Sequence, residues 1–123
     1  MNAVAIVRAC YDAYVTKDRA AIEKLIAQDF RFTSPLDNHI DRTTYFARCW
    51  PNSRNIAEFE FMHLFQVGNR VFANYIARNN DGHRFQNTEI LQVADDQVTA
   101  VEVYFGWSVP HEVSEGQFVN KTP

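Results

Sequence analysis

Residues 56–93 read IAEFEFMHLFQVGNRVFANYIARNNDGHRFQNTEILQV, and this stretch decides the fold. Apolar and polar residues alternate in it with the period of two that is typical of half-buried strands. Gly68-Asn69 and Asp81-Gly82 are two-residue turn signals, and Asp95-Asp96 predicts a further turn just beyond the stretch. The pattern therefore predicts an antiparallel meander of four strands, over residues 56–67, 71–79, 85–93 and 98–107.

Helical spacing replaces this alternation in the first half of the chain. The expected elements are a helix over 3–16, a helix over 19–28, a short strand over 30–33 and a helix over 41–50. Asp18 and Asp41 are suitable N-caps for the second and third helices, and Ser34-Pro35 and Pro51 are stop signals. Helices grouped before strands indicate an α+β fold, with a curved, mostly antiparallel sheet wrapped around three N-terminal helices.

Length and composition narrow the class of protein. The 123 residues are enough for a single domain over 1–123, of which residues 108–123 form a tail without periodicity. A net charge of −3 disfavours binding to nucleic acid or to an anionic membrane. Two cysteines cannot build a disulfide framework, so we expect a cytoplasmic chain with free thiols. The four histidines show no metal-ligand spacing, and we expect neither a metal nor another cofactor.

The predicted turns also set the strand register, and with it the faces of the sheet. They place His63 opposite Asn74, and Asn74 opposite Glu89, on the face that carries most of the phenylalanines. This aromatic face should point inward at the helices, so the three polar side chains would lie side by side in an apolar concavity. Burial raises the pKa of a carboxyl group, and a neighbouring imidazole could share its proton.

Such a pair is suited to general acid–base catalysis near neutral pH, and we assign catalytic roles to Glu89 and His63. The alternative is a core network that is hydrogen-bonded and has no catalytic role. Substrate binding is assigned to Asn74, Arg78, Asn87, Tyr14, Asp37 and Trp107. Asp37 lies in a predicted loop after Pro35, where Asp-x-His is more often a solvated turn than a functional site.

The order of elements over residues 3–107 resembles the nuclear transport factor 2-like superfamily. Three stretches carry the resemblance: YDAYVTKDRAAIEKLIAQDFRFTSP (11–35), NNDGHRFQNTEILQVADD (79–96) and VTAVEVYFGW (98–107). This superfamily has a cone-shaped α+β fold, and its members include ketosteroid isomerases and SnoaL-like polyketide cyclases. The resemblance implies that Val101, Val103 and Phe105 face inward, whereas a strict two-residue turn at 95–96 would turn Glu102 and Tyr104 inward. We favour the first arrangement because it buries the more apolar set.

Comparison with the ketosteroid isomerases implies that only part of their machinery is kept. The resemblance places Glu89 at the position of the family's acid on the sheet. The family's Asp-Pro, which supplies the general base, is Ser34-Pro35 here, and the family's helix tyrosine is Cys10. The family mechanism is therefore not expected to operate unchanged.

The resemblance further implies a homodimer formed through the outer face of the sheet. The predicted register places apolar residues at the centre of this face, namely Met62, Leu64, Val71, Ala73, Tyr75, Ala77 and Ile90. For function, we expect a cofactor-independent isomerase, cyclase or hydrolase that acts on a small apolar carbonyl or epoxide compound. The alternative is a non-catalytic module that binds a hydrophobic ligand or dimerises.

Overall fold

The computed structural model describes residues 2–108 and 118–121. Its helices are α1 (Ala3–Thr16), α2 (Arg19–Leu25) and α3 (Arg42–Arg48), and a 3-10 helix (Trp50–Asn55) follows α3. Its strands are β1 (Ile26–Ser34), β2 (Asp37–Asp41), β3 (Ile56–Val67), β4 (Arg70–Asn79), β5 (Arg84–Ala94), β6 (Gln97–Phe105) and β7 (Val119–Asn120). The predicted α+β class is confirmed. Most of the tail predicted over 108–123 lies outside the described residues.

Side-chain caps begin the three α-helices. Asn2, Asp18 and Asp41 each accept a hydrogen bond from the backbone N–H three residues later, at 2.8, 3.0 and 2.9 Å. Helix α2 ends at Leu25, three residues before the predicted end, because Ile26 already pairs with Val98 as the first residue of β1.

One seven-stranded sheet contains all the strands, in the order β3-β4-β5-β6-β1-β2-β7. Strand β1 pairs in parallel with β6, and β7 pairs in parallel with β2, whereas the other neighbours are antiparallel. Helix α1 packs against β3, β4 and β6 on the concave side. The predicted loop after Pro35 is instead strand β2, whose polar sequence DNHID shows no alternation that would predict a strand.

The register of β3 and β4 follows the prediction near the turn and departs from it beyond a bulge. His63 pairs with Asn74, as predicted, but a bulge at Met62 lets Phe61 pair with Tyr75. The strand thus changes faces along its length. Phe61 packs inward against Tyr11, while His63 is exposed on the outer side.

The predicted register of β4 and β5 is wrong by one residue. The connecting loop has three residues, 80–82, because Asn79 and His83 already pair through a hydrogen bond of 2.8 Å. Gly82 ends this loop with φ of 88°, a backbone conformation that suits glycine. Glu89 consequently lies opposite Ala73, and the inward residues of β4 are Val71, Ala73, Tyr75 and Ala77.

The corrected register also changes the outer face. Four residues that were predicted at its apolar centre, Val71, Ala73, Tyr75 and Ala77, are buried in the core. Leu64 packs against the core as well, whereas Met62 is exposed and Ile90 pairs with the outward Phe72. On β6, Val101 and Val103 are buried and Tyr104 is exposed, as the resemblance implied. In the part of the chain that is described, no helix is long and apolar enough to cross a lipid bilayer.

Candidate active site

A cavity of about 160 Å³ lies between the helices and the concave face of the sheet. Apolar and aromatic side chains make up most of its wall. A buried cavity of about 150 Å³ is sufficient to bind benzene. The free volume therefore suits a compact molecule with a single ring.

Glu89 on β5 brings a carboxyl group into this apolar wall. The hydroxyl of Tyr75, on the neighbouring strand β4, donates a hydrogen bond to Glu89 Oε2. Asn87, two residues earlier on β5, donates from Nδ2 to the Tyr75 oxygen at 3.4 Å. Tyr11 on α1 packs edge-on against the Tyr75 ring, with 5.3 Å between ring centroids. Adjacent strands and a facing helix thus hold one acid among three polar side chains.

Burial controls the protonation of this group. Removal from water raises the pKa of Glu89 above its usual value, although the nearby Tyr75 and Tyr11 hydroxyls act in the opposite direction. Burial and then the charge of Glu89 raise the pKa of both tyrosines well above their usual value. Each tyrosine is therefore a neutral hydrogen-bond donor at neutral pH, and burial shifts the equilibrium of Glu89 toward its protonated form.

Two buried polar atoms in this group make no hydrogen bond of good geometry to the described residues. They are the Tyr11 hydroxyl oxygen and Asn87 Oδ1. Buried polar groups are hydrogen-bonded in the great majority of cases. Both atoms belong to residues that line the cavity, so they lie where a bound molecule would meet polar groups.

A second hydroxyl pair lies in the same cavity. Tyr14 on α1 and Tyr45 on α3 both line it, and their hydroxyl groups hydrogen-bond to each other. Trp50 supports the pair through an edge-on contact with the Tyr14 ring at 4.9 Å. Burial raises the pKa of Tyr14 and Tyr45 well above the usual value, so both stay neutral.

An ion pair lies where β2 meets α3. Asp37 is 6% exposed and lines the cavity, and Arg48 Nε donates to its Oδ1 at 2.7 Å. Ser34 donates to Asp37 Oδ2 at 3.1 Å, and it accepts the backbone N–H groups of Leu36 and Asp37 at 3.0 and 3.2 Å. The carboxylate is thus fixed by a charge on one oxygen and by a neutral hydroxyl on the other.

The two cysteines are free and line the cavity. Burial, followed by the charge of Glu89 for Cys10 and of Asp37 for Cys49, raises the pKa of each to about 12. Both are therefore protonated thiols at neutral pH, which are poor nucleophiles. Among the described residues, no cluster of three or more His, Cys, Asp and Glu side chains is arranged to hold a metal ion.

Half of the predicted site residues share the cavity: Glu89, Asn87, Tyr14 and Asp37. The others lie on the outer face. His63 is exposed there, Asn74 bonds to Thr88 at 2.8 Å, and Arg78 pairs with Glu58 at 3.0 Å. Trp107 is 49% exposed and donates from Nε1 to Gln86 at 2.8 Å. The predicted row of His63, Asn74 and Glu89 is therefore wrong, because the bulge in β3 and the three-residue loop place Glu89 alone on the inner face.

Two side chains that bind the acidic groups were not predicted from the sequence, namely Tyr75 beside Glu89 and Arg48 beside Asp37. Tyr75 was assigned to the outer face, although a three-residue loop ending in Gly82 would have turned it inward beside Glu89. Arg48 carries no local signal of its role, because its partner Asp37 belongs to a strand that the sequence pattern does not reveal.

The fold and the site together define a class: an α+β domain whose curved sheet encloses an apolar cavity with an acid on the sheet wall. The model of the SnoaL-like domain matches residues 7–101, and the chain belongs to this family. None of the curated proteins matches the chain.

Solved structures share the fold at low sequence identity. A proposed ketosteroid isomerase from Kribbella flavida is 17% identical with a TM-score of 0.73, over 98% of this chain and 90% of that one. An epoxide hydrolase of the LEH-like type from M. tuberculosis is 15% identical with a TM-score of 0.70, over 85% and 82%. A proposed polyketide cyclase from Streptomyces antibioticus is 18% identical with a TM-score of 0.69, over 84% and 91%. At this level of sequence identity the similarity establishes a shared fold and says nothing about activity.

Proposed function

We propose that the protein is an enzyme that activates the oxygen of a small, mostly apolar carbonyl or epoxide compound by general acid catalysis. The observation that carries the proposal is the Glu89–Tyr75 pair in the wall of the apolar cavity. In its protonated form the pair has two O–H protons and one hydrogen bond between them. One O–H therefore remains to donate to a ligand oxygen.

This donor suits the chemistry of several members of the fold. Isomerisation and cyclisation of a carbonyl compound both build negative charge on its oxygen, and so does opening of an epoxide. Donors fixed in a site that excludes water stabilise such charge, and one donor contributes about 10²–10³ in rate. The structural neighbours include a proposed isomerase, a proposed cyclase and an epoxide hydrolase, and this shared step is consistent with all three activities.

Two small probes test the proposal. Cyclohexanone in D₂O reports acid–base action on a carbonyl compound, because its α-protons exchange through the enol and NMR follows their loss. Cyclohexene oxide reports hydrolase action through formation of the diol. We expect the protein to accelerate at least one of these reactions. Glu89→Gln and Tyr75→Phe should each slow it by about 100-fold, while chemical shifts of the protein still report binding of the probe.

Glu102→Gln is the matched control, because Glu102 is exposed on the neighbouring strand. This variant should keep the full rate. The alternative function, a non-catalytic module that holds an apolar ligand, predicts binding of both probes with no acceleration of either reaction. A rate that is indifferent to both Glu89→Gln and Tyr75→Phe would rule out the assigned donor pair.

A further inference from the structure

We propose that Asp37 is the proton acceptor that works opposite the Glu89–Tyr75 donor, in place of a base at position 34. The inference rests on the proposed function and adds a second catalytic residue to it. The Glu89–Tyr75 pair only donates a proton. The proposed reactions also need a group that accepts a proton from carbon or from water. The resemblance to the ketosteroid isomerases places Ser34, a neutral hydroxyl, at the position of their base.

The structure places a carboxylate directly beside that position. Ser34 and Asp37 are paired across the turn between β1 and β2, and both line the cavity. Ser34 accepts two backbone N–H groups and donates to Asp37 Oδ2 at 3.1 Å, so it fixes the carboxylate. Ser34 is therefore a positioning residue, and the carboxylate that it fixes lies three residues further along the chain.

The two oxygens of Asp37 have different partners. Oδ1 accepts a charged hydrogen bond from Arg48 at 2.7 Å, which holds the group as an anion. Oδ2 accepts a longer hydrogen bond from the Ser34 hydroxyl, which can rotate to another acceptor. Oδ2 is thus the oxygen that can take a proton while Oδ1 keeps its hydrogen bond from Arg48, although the protonated group no longer forms an ion pair.

The backbone of Asp37 is also held in place. It pairs with Ser34 of β1 and with Val119 of β7, so strands on both sides fix its position. Two carboxyl groups in different surroundings, Asp37 paired with Arg48 and Glu89 buried beside Tyr75, form the unequal pair that general acid–base catalysis needs.

The reaction step balances with these groups and the solvent D₂O. Asp37 Oδ2 takes a proton from the carbon next to the carbonyl group, and the C–H electron pair forms the C=C bond of the enol. The carbonyl π electrons move to oxygen, which takes a proton from the Glu89–Tyr75 pair. Asp37 then gives its proton to D₂O and receives a deuteron in its place. Return of this deuteron from Asp37 to carbon, with the oxygen's proton going back to the pair, completes one exchange. With an epoxide, Asp37 takes its proton from the attacking water instead.

The test uses the full chain with cyclohexanone in D₂O. Asp37→Asn keeps the shape of the side chain and removes its basicity, so exchange should fall by about 100-fold or more. Binding of cyclohexanone, followed by protein chemical shifts, should stay within a few-fold. Asp29→Asn removes the same charge from an exposed site on β1 and should leave exchange unchanged.

Two variants separate a base from a structural ion pair. Arg48→Lys disturbs the ion pair but leaves the carboxylate in place, so exchange should persist within about ten-fold. Asp37→Ala opens space beside Ser34, and added formate should restore exchange in proportion to its concentration, whereas chloride should not. A merely structural role predicts equal losses in Arg48→Lys and Asp37→Asn, with no rescue by formate.

The outcomes distinguish this inference from the proposed function. Exchange that Glu89→Gln abolishes and Asp37→Asn leaves intact overturns the role of Asp37 while the donor pair stands. If the unsubstituted protein exchanges cyclohexanone no faster than buffer and forms no diol from cyclohexene oxide, the proposed function and the role of Asp37 both fall.

Discussion

Glu89 shows how a single residue acquires its properties from its place on a strand. The same side chain on the outer face would titrate in water among polar neighbours such as Thr88 and Gln86. On the inner face it is surrounded by the cavity wall and by the Tyr75 hydroxyl. Alternation along β5 was sufficient to predict this placement, because its inward residues Phe85, Asn87, Glu89 and Leu91 follow the period of two.

The raised pKa of Glu89 makes the stability of the protein depend on pH. The folded protein holds this proton more tightly than the unfolded chain does. The stabilisation is complete below the unfolded pKa of about 4.3 and is lost as pH rises through the folded value. The Glu89→Gln variant has no ionisable group at this position, so its stability does not fall with pH for this reason. Relative to the unsubstituted protein, its free energy of unfolding should therefore rise between pH 4 and pH 8. The rise is about 1.4 kcal/mol for each tenfold by which folding strengthens proton binding at Glu89.

Urea unfolding at the two pH values measures this difference. Glu102→Gln removes the same charge from the exposed side of β6 and is the control for charge removal alone. If the difference between Glu89→Gln and the unsubstituted protein did not grow with pH, the carboxyl group of Glu89 would be solvated in the folded state.

At the scale of elements, the sequence predicts what depends on local pattern. Helix α1 and strand β3 begin and end at the predicted residues, since their periodicity and caps are local. Strand β2 has no alternation, and its pairing with β1 and β7 is a tertiary interaction. The bulge at Met62 and the loop over 80–82 each shift the strand register by only one residue. Together they decide which residues of β3 and β4 reach the cavity.

Gly106 is the residue that ties the end of β6 to β5. Its N–H donates to the Gln86 carbonyl at 2.7 Å, and a Cβ at this position would lie 2.4 Å from the same oxygen. Gly106→Ala must therefore push the strands apart beside the Asn87–Phe105 pair, which also lines the cavity. We expect a loss of about 1–3 kcal/mol in the free energy of unfolding and shifted amide resonances at Asn87 and Phe105.

Gly82→Ala is the comparison for this prediction. A Cβ at Gly82 meets no atom within 4 Å, so the cost is that of the left-handed backbone alone, about 1 kcal/mol. Resonances at Asn87 and Phe105 should stay in place. Equal effects of the two substitutions on these resonances would show that strand separation is not the cause.

At the scale of the molecule, the sheet has two faces with different tasks. The concave face encloses the cavity, while the outer face carries a row of amide and hydroxyl groups. In this row Trp107 donates to Gln86, Gln86 to Asn74, and Asn74 to Thr88, at 2.8, 2.9 and 2.8 Å. Beside the row, Phe65 and Phe72 stack with parallel rings at 5.3 Å. Met62, Phe65 and Tyr104 are each about half exposed, at 48%, 50% and 50%.

We propose that this outer face, including the stacked Phe65 and Phe72 on β3 and β4, joins two copies of the chain into a homodimer. Exposed aromatic groups beside satisfied polar groups are the composition of a protein interface, and a twofold axis lets one surface serve both copies.

Sedimentation equilibrium at micromolar concentration should give twice 14.3 kDa. Phe65→Glu puts a charge on this apolar pair in both copies and should give the single chain. Thr16→Glu, at the exposed end of α1, adds the same charge away from the sheet and should leave the dimer intact. A species of 14.3 kDa from the unsubstituted protein would contradict the proposal. Since Phe65 lies on the face opposite the cavity, the single chain should retain exchange of cyclohexanone, and loss of that exchange would mean that the partner subunit supports the site.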